Sequence, residues 1–209
     1  MSTSIERKEH WEKIYQTKDH SQMSWYQDTP ATSLAYVIKL NLRPTARIFD
    51  NGAGDSQFVD HLLRLGYRNI TLQDISATAL EKTQLRLGYT AKKLRWMVCD
   101  EAACNPQGQY DLWHDRAAFH FLTEEADILS YVNTLNRCIS PGGYLIIATF
   151  SDKGPHTCSG LSVKQYTQTA MEQLLRKGFE KIECKTEDHV TPFDTKQNFL
   201  YCVFRRRNF

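Results

Sequence analysis

The sequence predicts an α/β domain of three layers, in which helices cover both faces of a seven-stranded, mostly parallel sheet that closes in an antiparallel pair. Three observations carry this expectation. Short apolar runs alternate with helical stripes five times over, joined by short loops, which specifies parallel strands with right-handed crossovers. The stretch Arg47-Ile48-Phe49-Asp50-Asn51-Gly52-Ala53-Gly54-Asp55 runs from a strand through two glycines into a helical pattern, and the next apolar run ends at Asp74. The last two apolar runs have only a loop between them, so they pair antiparallel. At 209 residues the chain is long enough to bury a full core as one such domain.

The elements follow in order. Thr3 and Glu6 have capping-box spacing, and Trp11, Ile14 and Tyr15 form the stripe of a first helix. After a polar linker containing Ser24-Trp25-Tyr26-Gln27, Thr29-Pro30 reads as the N-cap and first residue of a helix through Leu34, Val37 and Ile38. A strand over 46–50 leads to a helix that buries Phe58, Val59, Leu62 and Leu63 and stops at Gly66. A second strand over 70–74 is followed by Ser76, which caps a helix ending near Gly88. Strands over 94–98 and 110–113 come next, then a helix capped by Thr123 and broken at Pro141-Gly142-Gly143. The continuous apolar run 144–150 is a strand covered on both faces. Thr167 opens the last helix, Gly178 stops it, and strands around 181–184 and 199–205 complete the sheet. The expected organisation is a helical cap over 1–45 and a ligand-binding core over 46–209.

Composition narrows the function classes. Lys and Arg number 26 against 24 Asp and Glu, which gives no general attraction to a polyanion, and Arg205-Arg206-Arg207 reads as the solvated end of a strand. No apolar run approaches the ~20 residues of a membrane span, and the N-terminus lacks a signal-peptide core. The six cysteines are scattered without a C-x-x-C pair, so the expectation is a reduced, cytoplasmic protein, monomeric or weakly dimeric, with no nucleic-acid or membrane partner. The His and Cys residues show no metal-ligand spacing, and no G-x-S-x-G elbow marks a serine hydrolase. No metal is expected.

Asp50, Asp74, Asp100 and His114 all fall at strand ends, hence on one rim, where doubly wound sheets bind ligands. Gly52 and Gly54 let backbone approach a ligand closely, and a carboxylate at the tip of the second strand, Asp74, can accept bonds from both hydroxyls of a ribose. Gln57 stands where a dinucleotide loop has its third glycine, and Asp50 would repel a pyrophosphate. A carboxylate there suits a cationic group such as the α-amino group of S-adenosylmethionine (SAM). The series resembles motif I of class I SAM-dependent methyltransferases, whose Rossmann-like fold also ends in an antiparallel strand pair. The resemblance implies SAM as cofactor and S-adenosylhomocysteine (SAH) as product. It makes Asp50 the amino-group contact, Gly52 and Gly54 the loop under the methionine part, Asp74 the ribose ligand and Asp100 the acceptor for the adenine amine. Ile75 offers an apolar face to adenine, though core packing explains it equally. Trp25, in a polar linker, is the better aromatic candidate against the sulfonium; Trp11 reads as packing.

The segment Asp111-Leu112-Trp113-His114-Asp115-Arg116-Ala117-Ala118-Phe119 resembles the D-x-x-W-D-R-G-A-L element of thiopurine S-methyltransferases, and more distantly a D-K-G-T segment of protein-lysine methyltransferases. Ala117 replaces the glycine, His114 the tryptophan and Phe119 the leucine. By this likeness His114 borders the methionine portion, while Asp115, Arg116 and His120 are the candidate catalytic residues, with Asp115 or His120 as base if the acceptor must lose a proton. The bland alternative is an ion-pair network that pins the loop. A long loop over 151–161, with His156 and Cys158, and His189 further on are candidate rim residues. The expected function is methyl transfer to an acceptor, with a small molecule ahead of a protein lysine; a SAM-binding protein without turnover and a nicotinamide-dependent oxidoreductase are the competing classes.

Overall fold

The computed structural model describes residues 4–208, so Thr3 of the expected capping box lies outside the described residues. The helices are α1 (Ser4–Thr17), α2 (Ala31–Leu40), α3 (Phe58–Arg64), α4 (Ala77–Leu87), α5 (Glu125–Cys138) and α6 (Gln168–Leu175). The strands are β1 (Arg47–Asn51), β2 (Asn69–Asp74), β3 (Arg95–Val98), β4 (Tyr110–Arg116), β5 (Ile139–Phe150), β6 (Thr157–Cys158), β7 (Leu161–Ser162), β8 (Phe179–Val190) and β9 (Lys196–Arg206). Seven of them form one sheet in the order β3-β2-β1-β4-β5-β9-β8, and β6 and β7 make a small separate hairpin. The first five are parallel, whereas β9 runs antiparallel to both β5 and β8. This is a three-layer, Rossmann-like α/β fold whose sheet ends in an antiparallel pair.

Alternation along the strands sorts side chains to two faces. Ile48, Leu112, Ile146 and Ala148 join one core with Phe58, Val59, Leu62 and Leu80 of α3 and α4, and with Leu34 and Val37 of α2. Phe49, Trp113, Leu145 and Ile147 join the other with Ile128, Tyr131 and Leu135 of α5 and Met171 and Leu175 of α6. The chain order reverses between β1 and β4, so a crevice opens at their carboxyl ends.

Several boundaries differ from the expectation. Pro30 takes the N-cap position of α2, and Glu124 rather than Thr123 that of α5. β4 continues three residues beyond Trp113 because His114, Asp115 and Arg116 keep pairing with Ile146, Ile147 and Ala148. Pro141-Gly142-Gly143 lies within β5: Tyr110 pairs with Ile139 and Leu112 with Tyr144, so the intervening residues bulge out. β8 and β9 reach well past the apolar runs, since β8 is an edge strand bearing exposed charges such as Glu180 and Lys185. The expectation of six reduced thiols is also corrected. Cys99 is bonded to Cys104 and Cys184 to Cys202, its register partner across β8 and β9; Cys138 and Cys158 remain free thiols. The cytoplasmic expectation loses the support it drew from unpaired cysteines. No helix among the described residues is long and apolar enough to cross a membrane.

Candidate active site

The crevice holds a main cavity of about 320 Å³ and a narrower chamber of about 50 Å³ beside it. Gly52, Tyr15, Trp25 and Arg116 line both. Gly52 and Gly54 adopt φ of +61° and +54°, and there is no room for a side chain at either. A Cβ at Gly52 would stand 2.3 Å from Ala118 Cβ, and one at Gly54 2.4 Å from Tyr15 Oη. The loop they form is tied to the end of β2. Gly52 N–H donates to Gln73 Oε1 (3.1 Å) and Gly54 N–H to Asp74 Oδ2 (2.8 Å).

Asp74 also accepts Ser76 N–H at Oδ1 (2.8 Å) and lines the main cavity. Burial pushes its carboxyl up to about 7, against those two backbone donors and with Asp55 and Glu12 nearby. A ribose would supply the hydroxyl donors that such a carboxyl lacks. Ile75 and Asp100 share the cavity wall. Asp100 is engaged by the protein: Oδ2 accepts Arg7 Nε (3.0 Å) and Nη2 (2.8 Å), and Oδ1 accepts Ala102 N–H (3.0 Å).

The narrow chamber is lined by Asp50, Gly52, Gly54, Phe58 and His114, among others. His114 Nδ1 lies 2.7 Å from Asp50 Oδ1 and its Nε2 2.9 Å from Ser33 Oγ, with the ring stacked on Phe58. Asp50 is thereby held by an imidazole at the place where the sequence expects an amino group.

The rest of the β4 segment turns largely inward. Asp115 is fully buried and accepts from Asn51 Nδ2 (2.8 Å), Tyr131 Oη (2.6 Å), Phe119 N–H (3.1 Å) and Ala118 N–H (3.4 Å). Burial nevertheless raises its carboxyl above the usual range. It fixes the turn after β4 and does not line the cavity. His120 is likewise fully buried and off the cavity wall; Nδ1 accepts Phe150 N–H (3.1 Å), and burial beside Arg116 lowers the imidazole to about 3. The sequence expected both residues at the acceptor. The structure makes them supports: Asp115 lies on β4, which carries on into the sheet, and His120 lies in the short turn Phe119–Phe121, packed against Phe150 and Phe199. Arg116 does reach the cavities. Its Nε donates to Tyr201 Oη (2.9 Å) and its Nη1 to Trp25 C=O (2.8 Å), the guanidinium lies over the Phe199 ring, and Nη2 has no partner among the described residues. Ala117 holds φ of +62°, in the left-handed region that favours glycine.

Helix α1 roofs the main cavity. Arg7 binds Asp100 and also Asp127 (2.8 Å). Glu12 accepts from Ser76 Oγ (3.0 Å), Ala77 N–H (2.6 Å) and Thr78 N–H (3.3 Å), and so caps the first turn of α4. Trp11, expected as packing, lines the cavity together with Trp25, to which it stands edge-on at 5.6 Å, and Phe121 at 4.9 Å. Leu161 and Ser162 of β7 close one side, whereas His156 and Cys158 do not line it. His189 bonds Ser24 C=O (2.8 Å) and borders a separate surface groove. Sequence reasoning missed Arg7, Glu12, Tyr15 and Glu101. Only Glu101, next to a strand-tip acid, carried a readable signal. Among the described residues no group of three or more His, Cys, Asp or Glu can hold a metal.

Comparison with known proteins bears on the fold and the class of domain. A family description for a methyltransferase domain matches residues 49–145. The chain is 21% identical over 179 residues to the zebrafish (Danio rerio) eEF1A lysine and N-terminal methyltransferase, covering 85% of this chain but only 24% of that protein. It is 25% identical over 182 residues to mouse (Mus musculus) EEF1A lysine methyltransferase 4, covering 80% of this chain and 68% of the other. The 1,6-didemethyltoxoflavin-N1-methyltransferase of Burkholderia thailandensis, solved with its substrate and SAH, superposes with a TM-score of 0.68 at 17% identity, covering 98% of this chain and 85% of that one.

Proposed function

We propose that this S-adenosylmethionine-dependent methyltransferase moves its methyl group to a small molecule bound beneath α1. The observation that carries the reading is the roof: α1 is clasped to the core by Arg7 and Glu12, and its Trp11 and Tyr15 face the cavity. A roofed, aromatic-walled cavity suits a compact and largely apolar acceptor. The thiopurine-type segment ending at Arg116 and Ala117 supports the same choice. Eukaryotic relatives named as lysine methyltransferases support a second reading, a protein lysine as acceptor.

Bound SAM supplies an electrophilic methyl on a positively charged sulfur, which an acceptor displaces in line as SAH departs. The chain's own residues bind, orient and dry the site. Asp74 would take the ribose hydroxyls and the Gly52–Gly54 backbone would lie against the methionine part, in the chamber that Asp50 and His114 line. Trp11, Trp25 and Tyr15 present ring faces that favour a cationic sulfur and exclude water. Asp115 and His120 hold the β4 turn and are not placed to take a proton from an acceptor. The reading is therefore an acceptor that arrives as a competent nucleophile and gives any proton to solvent. Arg116 is the polar group placed to orient it.

Incubation with methyl-labelled SAM against a panel of small thiols, amines and phenols, with a protein extract in parallel, tests this. Label is expected in a small molecule. Label on a protein band would favour the lysine reading, and SAH binding with no transfer to any acceptor would favour a binding protein without turnover.

A further inference from the structure

Along the rim the cavity runs from the β1 loop, past Asp74 at the tip of β2, to the turn after β3. A nucleoside whose ribose sits on Asp74 and whose amino-acid arm enters the narrow chamber at Gly52 and Gly54 must direct its base toward β3. There Asp100, the acid expected to read the base, is spent on Arg7 and on Ala102 N–H. Its neighbour Glu101 lines the same cavity and receives no hydrogen bond from any described side chain or backbone group.

Resting on the SAM reading above, we propose that Glu101 recognises the adenine of the cofactor, its carboxylic acid O–H donating to a ring nitrogen while its carbonyl oxygen accepts from the exocyclic amine. A neutral carboxyl offers one donor beside one acceptor, and the adenine edge offers the converse pair. The surroundings favour that neutral form. Asp115 of β4, Asp100 of the same turn and Asp74 of β2 oppose a charge on Glu101, Arg7 of α1 favours it to a lesser degree, Glu124 lines the same cavity, and Tyr131 of α5 is close enough to feel it. Burial acts in the same direction and is the largest cause of the upward displacement of its carboxyl.

Titration calorimetry with SAH and with its inosine counterpart, in which a keto oxygen replaces the exocyclic amine, tests the assignment. Wild-type protein is expected to prefer SAH. Glu101→Ala is expected to lose about tenfold or more in SAH affinity and most of that preference. Glu101→Gln keeps a donor beside an acceptor, so it retains SAH binding. Its affinity relative to wild type rises with pH, because only the wild-type side chain ionises; Asp74 titrates in both proteins and cancels. Should Glu101→Ala fold poorly, as judged by its melting temperature, the pH dependence of the wild-type to Glu101→Gln ratio decides alone. A flat ratio, or an alanine variant with undiminished affinity and preference, overturns the proposal. Failure of wild-type protein to bind SAH at all would instead overturn the cofactor reading.

Discussion

Two stretches of the rim carry dense polar sequence and behave oppositely. In the β1–β2 unit, the glycines and Asp74 stand on cavity walls, as their spacing implies. In the β4 segment, four ionisable groups within seven residues look more like an active site, yet three of them are consumed by the protein: His114 by Asp50 and Ser33, Asp115 by Asn51 and Tyr131, His120 by Phe150 N–H. Arg116 keeps Nη2 without a partner among the described residues and lines the cavity, whereas the Nε2 of His120, likewise without a partner there, is buried off the cavity wall. The difference lies in backbone course. The chain leaves the sheet at Gly52 and just after Asp74, so side chains there face the crevice, whereas β4 stays in the sheet through Arg116 and points alternate residues into packed layers.

The contrast breaks most visibly at Asp74. Asp74→Ala is expected to weaken SAM by about 10²-fold or more, through two charge-assisted hydrogen bonds of roughly 1.5–3 kcal/mol each. Calorimetry with SAM, SAH, NAD and NADP measures it, and the nicotinamide nucleotides should not bind. Because ribose hydroxyls donate to the ionised carboxylate, wild-type SAM affinity should rise as pH climbs through about 7, where Asp74 titrates. Its raised value has the opposite sign for the ligand-free fold. The unfolded chain ionises at lower pH, so stability falls between about pH 4 and 7, a slope that Asp74→Ala should reduce.

Asp115→Asn should instead act on stability. It replaces an acceptor-only group that takes four donors, and a loss of about 2–3 kcal/mol, read as a melting temperature lower by roughly 4–12 °C, is expected. A variant that keeps its melting temperature but loses turnover would return Asp115 to the chemistry.

His120→Ala strands Phe150 N–H in the core at a cost of about 1–3 kcal/mol. The native imidazole stays neutral down to about 3, while the unfolded chain protonates it near 6.5. Wild-type stability therefore falls as pH drops from about 6.5 toward 3, and the variant should lose part of that dependence. A general base at His120 would show as an acid limb in the rate at saturating SAM, where the Asp74 titration no longer limits binding; none is expected there.

The smallest effect belongs to Ala117→Gly. The left-handed conformation costs a residue with a Cβ roughly 1–2 kcal/mol, offset in part by the greater freedom of glycine in the unfolded chain. A gain of up to about 1 kcal/mol in chemical denaturation is expected, with SAM affinity unchanged.

The parallel sheet and its antiparallel closing pair were legible because β1, β2 and the second half of β5 are apolar runs, with the helices punctuated by Gly66, Gly88 and Gly178. The true length of β8 was not, since an edge strand needs few apolar residues and carries Glu180, Lys185 and Glu187. In the site, local spacing revealed Gly52, Gly54 and Asp74. Arg7, Glu12 and Tyr15 were invisible because their partners lie 93, 64 and 39 residues away: Asp100, Ser76 and Gly54. The disulfide partners Cys184 and Cys202 were hidden likewise, since only the register of β8 against β9 brings them together.

Glu12 has one more consequence. In a fold of this kind the turn after β2 is where a phosphate on the ribose 2′-oxygen would come to rest, drawn by the free amides that open α4. Those amides, at Ala77 and Thr78, are already occupied by a carboxylate from the chain itself. Glu12 is in effect a resident counterfeit anion. A phosphorylated ribose would have to displace it and then lie against Asp74, meeting negative charge on both sides, so the helix that roofs the cavity also screens which nucleosides may enter it.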